Sequence, residues 1–182
     1  EGASTVQAVQ AAQLDDVLAR GWRPLIDRDG VVSQLPSGGL ASEPLPDAAT
    51  FHNTAQCFWR YAVRTAKKLR RGELWVAKAQ CDGLLKDVLL TMAGWHVRAA
   101  DGSADTWYEG HFLEGWADPR LLAGLPDAFA RYDAEDVWRA LLATMGLFRW
   151  LAAETAARLG YPYPDEAEAK TVALVRELFA GR

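Results

Sequence analysis

From Asp47 onward, apolar residues recur every three or four positions, the spacing that gathers side chains on one face of an α-helix. Phe51, Ala55, Phe58, Ala62, Ala66 and Leu69 form the first series, which ends near Gly72. Leu74, Ala77, Cys81, Leu84, Val88, Met92 and Trp95 form a second, and the short Arg71-Gly72 join predicts an antiparallel helical hairpin. A third long helix is predicted from Ala134 to Leu159, closed by Gly160, and a last one from Asp165 to Phe179. Asp47 is placed to cap the first helix, and Pro46 discourages its extension backwards. Gly83 leaves a gap in the second helix, where close approach of a neighbour or ligand is expected.

Residues 1–46 follow no such rhythm. Leu14 to Arg20 reads as a short helix, and Trp22 to Ile26 as a brief extended piece before the Asp27-Arg28-Asp29-Gly30 turn. Pro36, Gly38, Gly39, Pro44 and Pro46 then mark a linker or long surface loop. Residues 99–119 break the pattern again with glycines, a proline and clustered aromatics, which predicts turns and a partly helical excursion. The predicted fold is mostly α: a bundle of about four to six helices over 47–182, behind a small irregular or short-strand segment in 1–46.

Composition narrows the function classes. With 182 residues, 50% of them hydrophobic and 24% charged, the chain is globular and long enough for one sizeable core. Twenty Lys and Arg against 24 Asp and Glu leave a net charge of −4, so no bulk positive field exists to hold nucleic acid or an anionic membrane. Charges interrupt every apolar run well short of the roughly 20 residues of a membrane span, and no signal peptide opens the sequence. A cytoplasmic protein is expected. The absence of a starting Met suggests a piece of something longer. Cys57 and Cys81 match no metal-ligand spacing and read as core thiols. His52, His96 and His111 lack zinc spacing, and His96, near a helix end, reads as a structural imidazole that meets unpaired carbonyls. No phosphate loop, dinucleotide fingerprint or serine elbow occurs, so no catalytic residue and no metal ligand is assigned.

Two clusters carry possible chemistry. Arg60, Arg64, Lys67, Lys68 and Arg71 form a basic stripe opposite the apolar face of the first helix. Such a stripe can receive phosphate oxygens, an option that Lys78 and Lys86 extend to the second helix; it also fits a solvated face whose charge complements the helix dipole. The second cluster is Trp107, Tyr108, Glu109, His111, Glu114 and Trp116. Aromatic walls beside carboxylates can hold a cationic or sugar-like ligand, or the same rings can plug the end of the bundle. Glu73 and Asp82 offer further carboxylates from the helical side.

The series Phe58-Trp59, Ala66-Lys67, Leu69, Arg71, Glu73-Leu74, Ala77, Leu89-Leu90, Met92 and Trp95 resembles the helical C-terminal part of the aminoglycoside 6-adenylyltransferases. The resemblance continues through Ile26-Asp27-Arg28-Asp29-Gly30, Trp138, Ala140-Leu141, Leu147-Phe148-Arg149, Arg158-Leu159, Tyr161 and Tyr163-Pro164. It implies a two-domain, streptomycin-modifying, antibiotic-resistance enzyme. A nucleotidyltransferase domain would hold ATP and magnesium, and the helical domain would close the cleft over the aminoglycoside while AMP passes to an antibiotic hydroxyl. By that resemblance, residues 1–46 are a remnant of the catalytic domain plus linker, and 47–182 are a helical substrate-binding domain. Lys67 and Arg71 match on the phosphate side, and Arg64 joins them. The family's early phosphate loop and first carboxylate pair are missing, and Gln7 stands where the family presents another metal-site Asp. Cys57 and Val88 replace family glutamates, which argues against a standard polycationic aminoglycoside.

Three readings follow. The chain is the substrate-binding part of an adenylyltransferase, inactive alone and binding no cofactor of its own. Alternatively it is a diverged small-molecule-binding protein or enzyme reusing the helical pocket, or else a structural or protein-interaction domain. Under the first two readings the partner is a small molecule, cationic or aminoglycoside, taken between the first two long helices and residues 107–116.

Overall fold

In the computed structural model, which describes residues 44–106 and 108–181 together with Arg20, Arg23, Leu25 and Ile26, the Asp47 carboxylate accepts a hydrogen bond from the Thr50 amide at 2.7 Å. Helix α1, Ala48–Arg70, starts there. It buries the predicted face, Phe51, Ala55, Phe58, Ala62, Ala66 and Leu69. Its end is a Schellman turn: the Glu73 amide bonds the Lys68 carbonyl and the Gly72 amide bonds the Leu69 carbonyl, each at 3.0 Å. Gly72 has φ of 73°, a left-handed backbone that glycine adopts without a steric penalty. The predicted helix at 14–20, the extended piece at 22–26 and the turn at 27–30 fall wholly or largely outside the described residues.

Helix α2 runs as Leu74–Ala79, a π-helical turn Gln80–Leu84, and Leu85–Ala100. The π turn changes its register. A wider turn places the next inward residue one position later, so after Cys81 the next buried apolar side chains are Leu85 and Leu89, followed by the predicted Met92 and Trp95. The predicted Leu84 is 39% exposed, and Val88 is half-buried. Gly83 lies within this turn, and a Cβ there would meet no neighbouring atom within 4 Å, so the expected close approach by a neighbour is not made.

Four further helices complete the described residues: α3 Leu113–Trp116, α4 Pro119–Ala128, α5 Ala134–Leu159 and α6 Asp165–Ala180. Together with α1 and α2 they make six helices and no strand among the described residues, which agrees with the mostly α bundle predicted. Asp133 caps α5 by accepting from the Asp136 amide at 2.9 Å, and Gly160 ends it at φ 70°. Contacts divide the chain into Glu1–Glu43 and Pro44–Arg182. Within the second unit α5 is the central element, packed against α2, α4 and α1, while α6 lies along α1. Aromatic rings fill the centre: Phe58 stacks on Phe148 with centroids 3.6 Å apart, and Trp59 meets Phe148 edge-on at 5.8 Å. Because α2 continues to Ala100, His96 is not at a helix end. Its buried imidazole meets Glu154 on α5 at 2.9 Å rather than free carbonyls.

Candidate functional site: three stations along one helix

The structure distributes the predicted residues over three places. The first is the α1–α2 turn. Arg64 and Lys67 are exposed on α1 and form no ion pair with the described residues, and Arg71 is exposed beside them. Lys68 bonds Glu73 at 2.5 Å, and Arg71 lies 3.8 Å from the same carboxylate. Bonding by Lys68 holds the Glu73 carboxyl below its usual range. Glu73 therefore belongs with the basic stripe. Arg60, earlier on the stripe, donates instead to Cys57 Sγ at 2.9 Å.

The second place is the π turn. Asp82 stands between Lys78 and Lys86, each four residues away, so all three share one side of α2. Lys78 Nζ donates to Asp82 Oδ2 and also to the Ala130 carbonyl, the latter at 2.6 Å. Lys86 is buried, donates to the Cys81 carbonyl and Thr144 Oγ1 at 2.9 Å each, and sits 5.0 Å from the centre of the Phe129 ring. Its ammonium is 3.9 Å from Asp82 Oδ1, an oxygen that is buried and accepts no hydrogen bond, as is Gln80 Oε1. Loss of water lowers the Lys86 pKa, and burial pushes the Cys81 thiol up to about 11. Cys81 is thus a protonated core thiol at neutral pH.

The loop that closes this station is itself pinned. Arg139 Nε bonds Asp136 Oδ1 at 2.8 Å, Arg139 Nη2 bonds the Phe129 carbonyl at 3.0 Å, and Asp136 Oδ2 accepts from the Arg131 amide at 2.6 Å. The pair with Arg139 and the Arg131 amide hold the Asp136 carboxyl far below its ordinary value. Sequence reasoning missed Thr144, Gln80, Asp136 and Arg139. The three-residue spacing of Asp136 and Arg139 was the available signal.

The third place is the aromatic segment. Tyr108 is 42% and Phe112 85% exposed, Glu109 and Glu114 are exposed, and Trp116 is half-buried with its indole N–H on the His111 carbonyl at 3.0 Å. Trp107 lies outside the described residues. Glu109, Gly110 and Phe112 have φ of 49°, 76° and 53°. For Glu109 and Phe112 this left-handed backbone is strained, a feature that concentrates at ligand-contacting loops. Glu109 bonds the Tyr108 hydroxyl and raises its pKa. The segment rests on the later half of α2: a Cβ on Gly110 would touch Leu90 at 3.4 Å, and one on Gly94 would touch Thr106 at 3.3 Å.

Along α2, at ~1.5 Å per residue, Glu73 and Asp82 are about 14 Å apart and Asp82 and Leu90 about 12 Å apart. The predicted substrate residues that are described are thus spread along α2 rather than gathered at one point. A cavity of about 380 Å³ does exist, but α1, α5 and α6 line it, and no predicted site residue does.

A family profile for streptomycin adenylyltransferase matches residues 5–178. The chain belongs to that family. An aminoglycoside 6-adenylyltransferase of Bacillus subtilis (strain 168) is 24% identical over 150 residues, covering 81% of this chain and 53% of that protein. The crystal structure of an aminoglycoside 6-adenyltransferase from Bacillus subtilis superposes with a TM-score of 0.66 at 20% identity, over 74% of this chain and 51% of the other. The shared feature there is the fold. The chain spans about half the length of these relatives.

Magnesium, which the family resemblance implies, finds no fit among the described residues. No group of three or more His, Cys, Asp or Glu is placed to hold a metal ion, and Glu73 and Asp82 are each bonded to a lysine. No helix among the described residues is long and apolar enough to cross a membrane.

Proposed function

We propose that residues 47–182 are the substrate-binding helical part of an adenylyltransferase-type protein, taking a cationic, aminoglycoside-like ligand against residues 107–116. The observation that carries this reading is the exposed trio Tyr108, Glu109 and Glu114, with left-handed backbone at Glu109 and Phe112, within a chain of this family. Carboxylates beside aromatic faces attract a ligand ammonium more than a neutral isostere. Arg64, Lys67 and Arg71 serve the phosphate side, where a nucleotide held elsewhere would present its charge. ATP and magnesium belong to a complete family member. The isolated chain is expected to transfer no AMP, a reading supported by the resemblance, which puts Gln7 where the family has a metal-site acid.

Titration calorimetry with streptomycin tests the binding claim. Saturable binding that weakens about tenfold in Glu109→Gln/Glu114→Gln, and steeply with salt, is expected. Unchanged affinity in that variant overturns the assignment. Radiolabelled AMP transfer from ATP above a no-protein control, lost in Lys67→Gln, overturns the claim of inactivity.

A second reading has one observation in its favour. The Lys78, Asp82 and Lys86 station carries more positive than negative charge, and Cys57 and Val88 bring no acid to the hairpin. A diverged protein that binds a less cationic small molecule fits those residues better. No streptomycin binding by the unaltered chain, with its Tm intact, favours this alternative.

A further inference from the structure

We propose that the groove between α1, α5 and α6 is a binding site for a small amphipathic carboxylate, separate from the three stations along α2. Its volume, about 380 Å³, falls within the range of small-molecule sites. Met145, Val172 and Phe179 supply apolar walls. Trp59, only 2% exposed, adds an aromatic side chain to the lining. The polar features are two arginines.

Charge selects the ligand's sign. Arg149 and Arg176 both line the groove. Arg149, its side chain 67% exposed, pairs through Nε with buried Glu168 at 2.7 Å and has no other ion pair among the described residues. Arg176 is exposed and has no ion-pair partner among the described residues. Two guanidinium groups against one carboxylate leave a net positive rim, and a planar carboxylate matches the arginine fork in a two-point bond. An apolar body would lie on Met145, Val172 and Phe179 while the carboxylate meets the arginines. This inference does not depend on the antibiotic reading, because none of its residues belongs to that site.

The probe is 4-phenylbutyrate, with 4-phenylbutanamide and 4-phenylbutylamine as the neutral and cationic counterparts. Calorimetry is expected to give a dissociation constant of about 0.1–1 mM for the carboxylate, and at least about fivefold weaker binding for the other two. In a proton–nitrogen spectrum the indole cross-peak assigned by Trp59→Phe should move on titration. Gly146 supplies the decisive variant, since it lines the groove and a Cβ there meets nothing within 4 Å. Gly146→Leu should fill the groove and abolish binding with Tm held or raised, while exposed Arg176→Gln should weaken binding about fivefold. Equal binding of the amine, no movement of the Trp59 signal, or full affinity in both Gly146→Leu and Arg176→Gln overturns the proposal.

Discussion

The π-turn station and the aromatic segment sit on the same helix and treat their charges in opposite ways. At the π turn every ion has a protein partner: Lys78 reaches Asp82 and the Ala130 carbonyl, and Lys86 reaches the Cys81 carbonyl and Thr144. At the aromatic segment Glu109 and Glu114 are exposed beside exposed Tyr108 and Phe112, with Glu109 bonded to the Tyr108 hydroxyl. Buried charge must be paired internally because desolvation is costly, whereas an exposed carboxylate keeps water that a ligand can displace. The contrast separates a station held by internal pairs from one whose carboxylates face solvent.

The sharpest way to break that contrast is at Lys86. Lys86→Ala removes two hydrogen bonds to α2 and α5 and leaves Asp82 facing only Lys78. A loss of about 3 kcal/mol in urea unfolding is expected. A loss below about 0.5 kcal/mol, the level of an ordinary surface change, would show that the station does not support the fold.

Cys81 gives a smaller, pH-dependent signature. Its folded pKa is raised from 9.0 to about 11. Between those values the folded thiol keeps a proton that the unfolded one releases, so stability contributed by Cys81 falls as pH rises through that window. Lys86 acts in the opposite sense: its lowered pKa means the unfolded ammonium holds the extra proton, so its contribution rises with pH. Cys81→Ala should therefore abolish a decline on the order of 2 kcal/mol between pH 9 and 11. Unfolding curves at several pH values measure it, and identical slopes in both proteins contradict the assignment.

The smallest expected effect lies in the aromatic segment and has the reverse sign. Phe112 is 85% exposed at φ 53°. Phe112→Gly relieves a left-handed backbone and gives up little packing, so stability should rise by about 1 kcal/mol. A drop of that size in thermal or urea unfolding would mean that the ring packs after all.

These differences explain what the sequence made legible. The face of α1 could be read directly, because local periodicity decides it and Asp47 and Gly72 mark its ends. The face of α2 could be read as far as Cys81 and again at Met92 and Trp95, both buried as predicted. Between them a π turn, which has no strong sequence signature, moved Leu85 and Leu89 inward in place of Leu84 and Val88. Lys78, Asp82 and Lys86 were visible at helical spacing, but their partners Ala130 and Thr144 lie 52 and 58 residues away and come only with the tertiary fold. The aromatic cluster was visible as composition. Its left-handed residues were not, since Glu109 and Phe112 are side chains that ordinarily avoid that backbone.

The central claim is that ligand meets residues 107–116 while the π turn stays structural. Backbone amide shifts recorded during a streptomycin titration test it most directly. The account predicts saturable shifts at Tyr108, Glu109 and Glu114 through Trp116, with Lys78, Asp82 and Lys86 unmoved. Shifts confined to 78–86, with 108–116 silent, would contradict it.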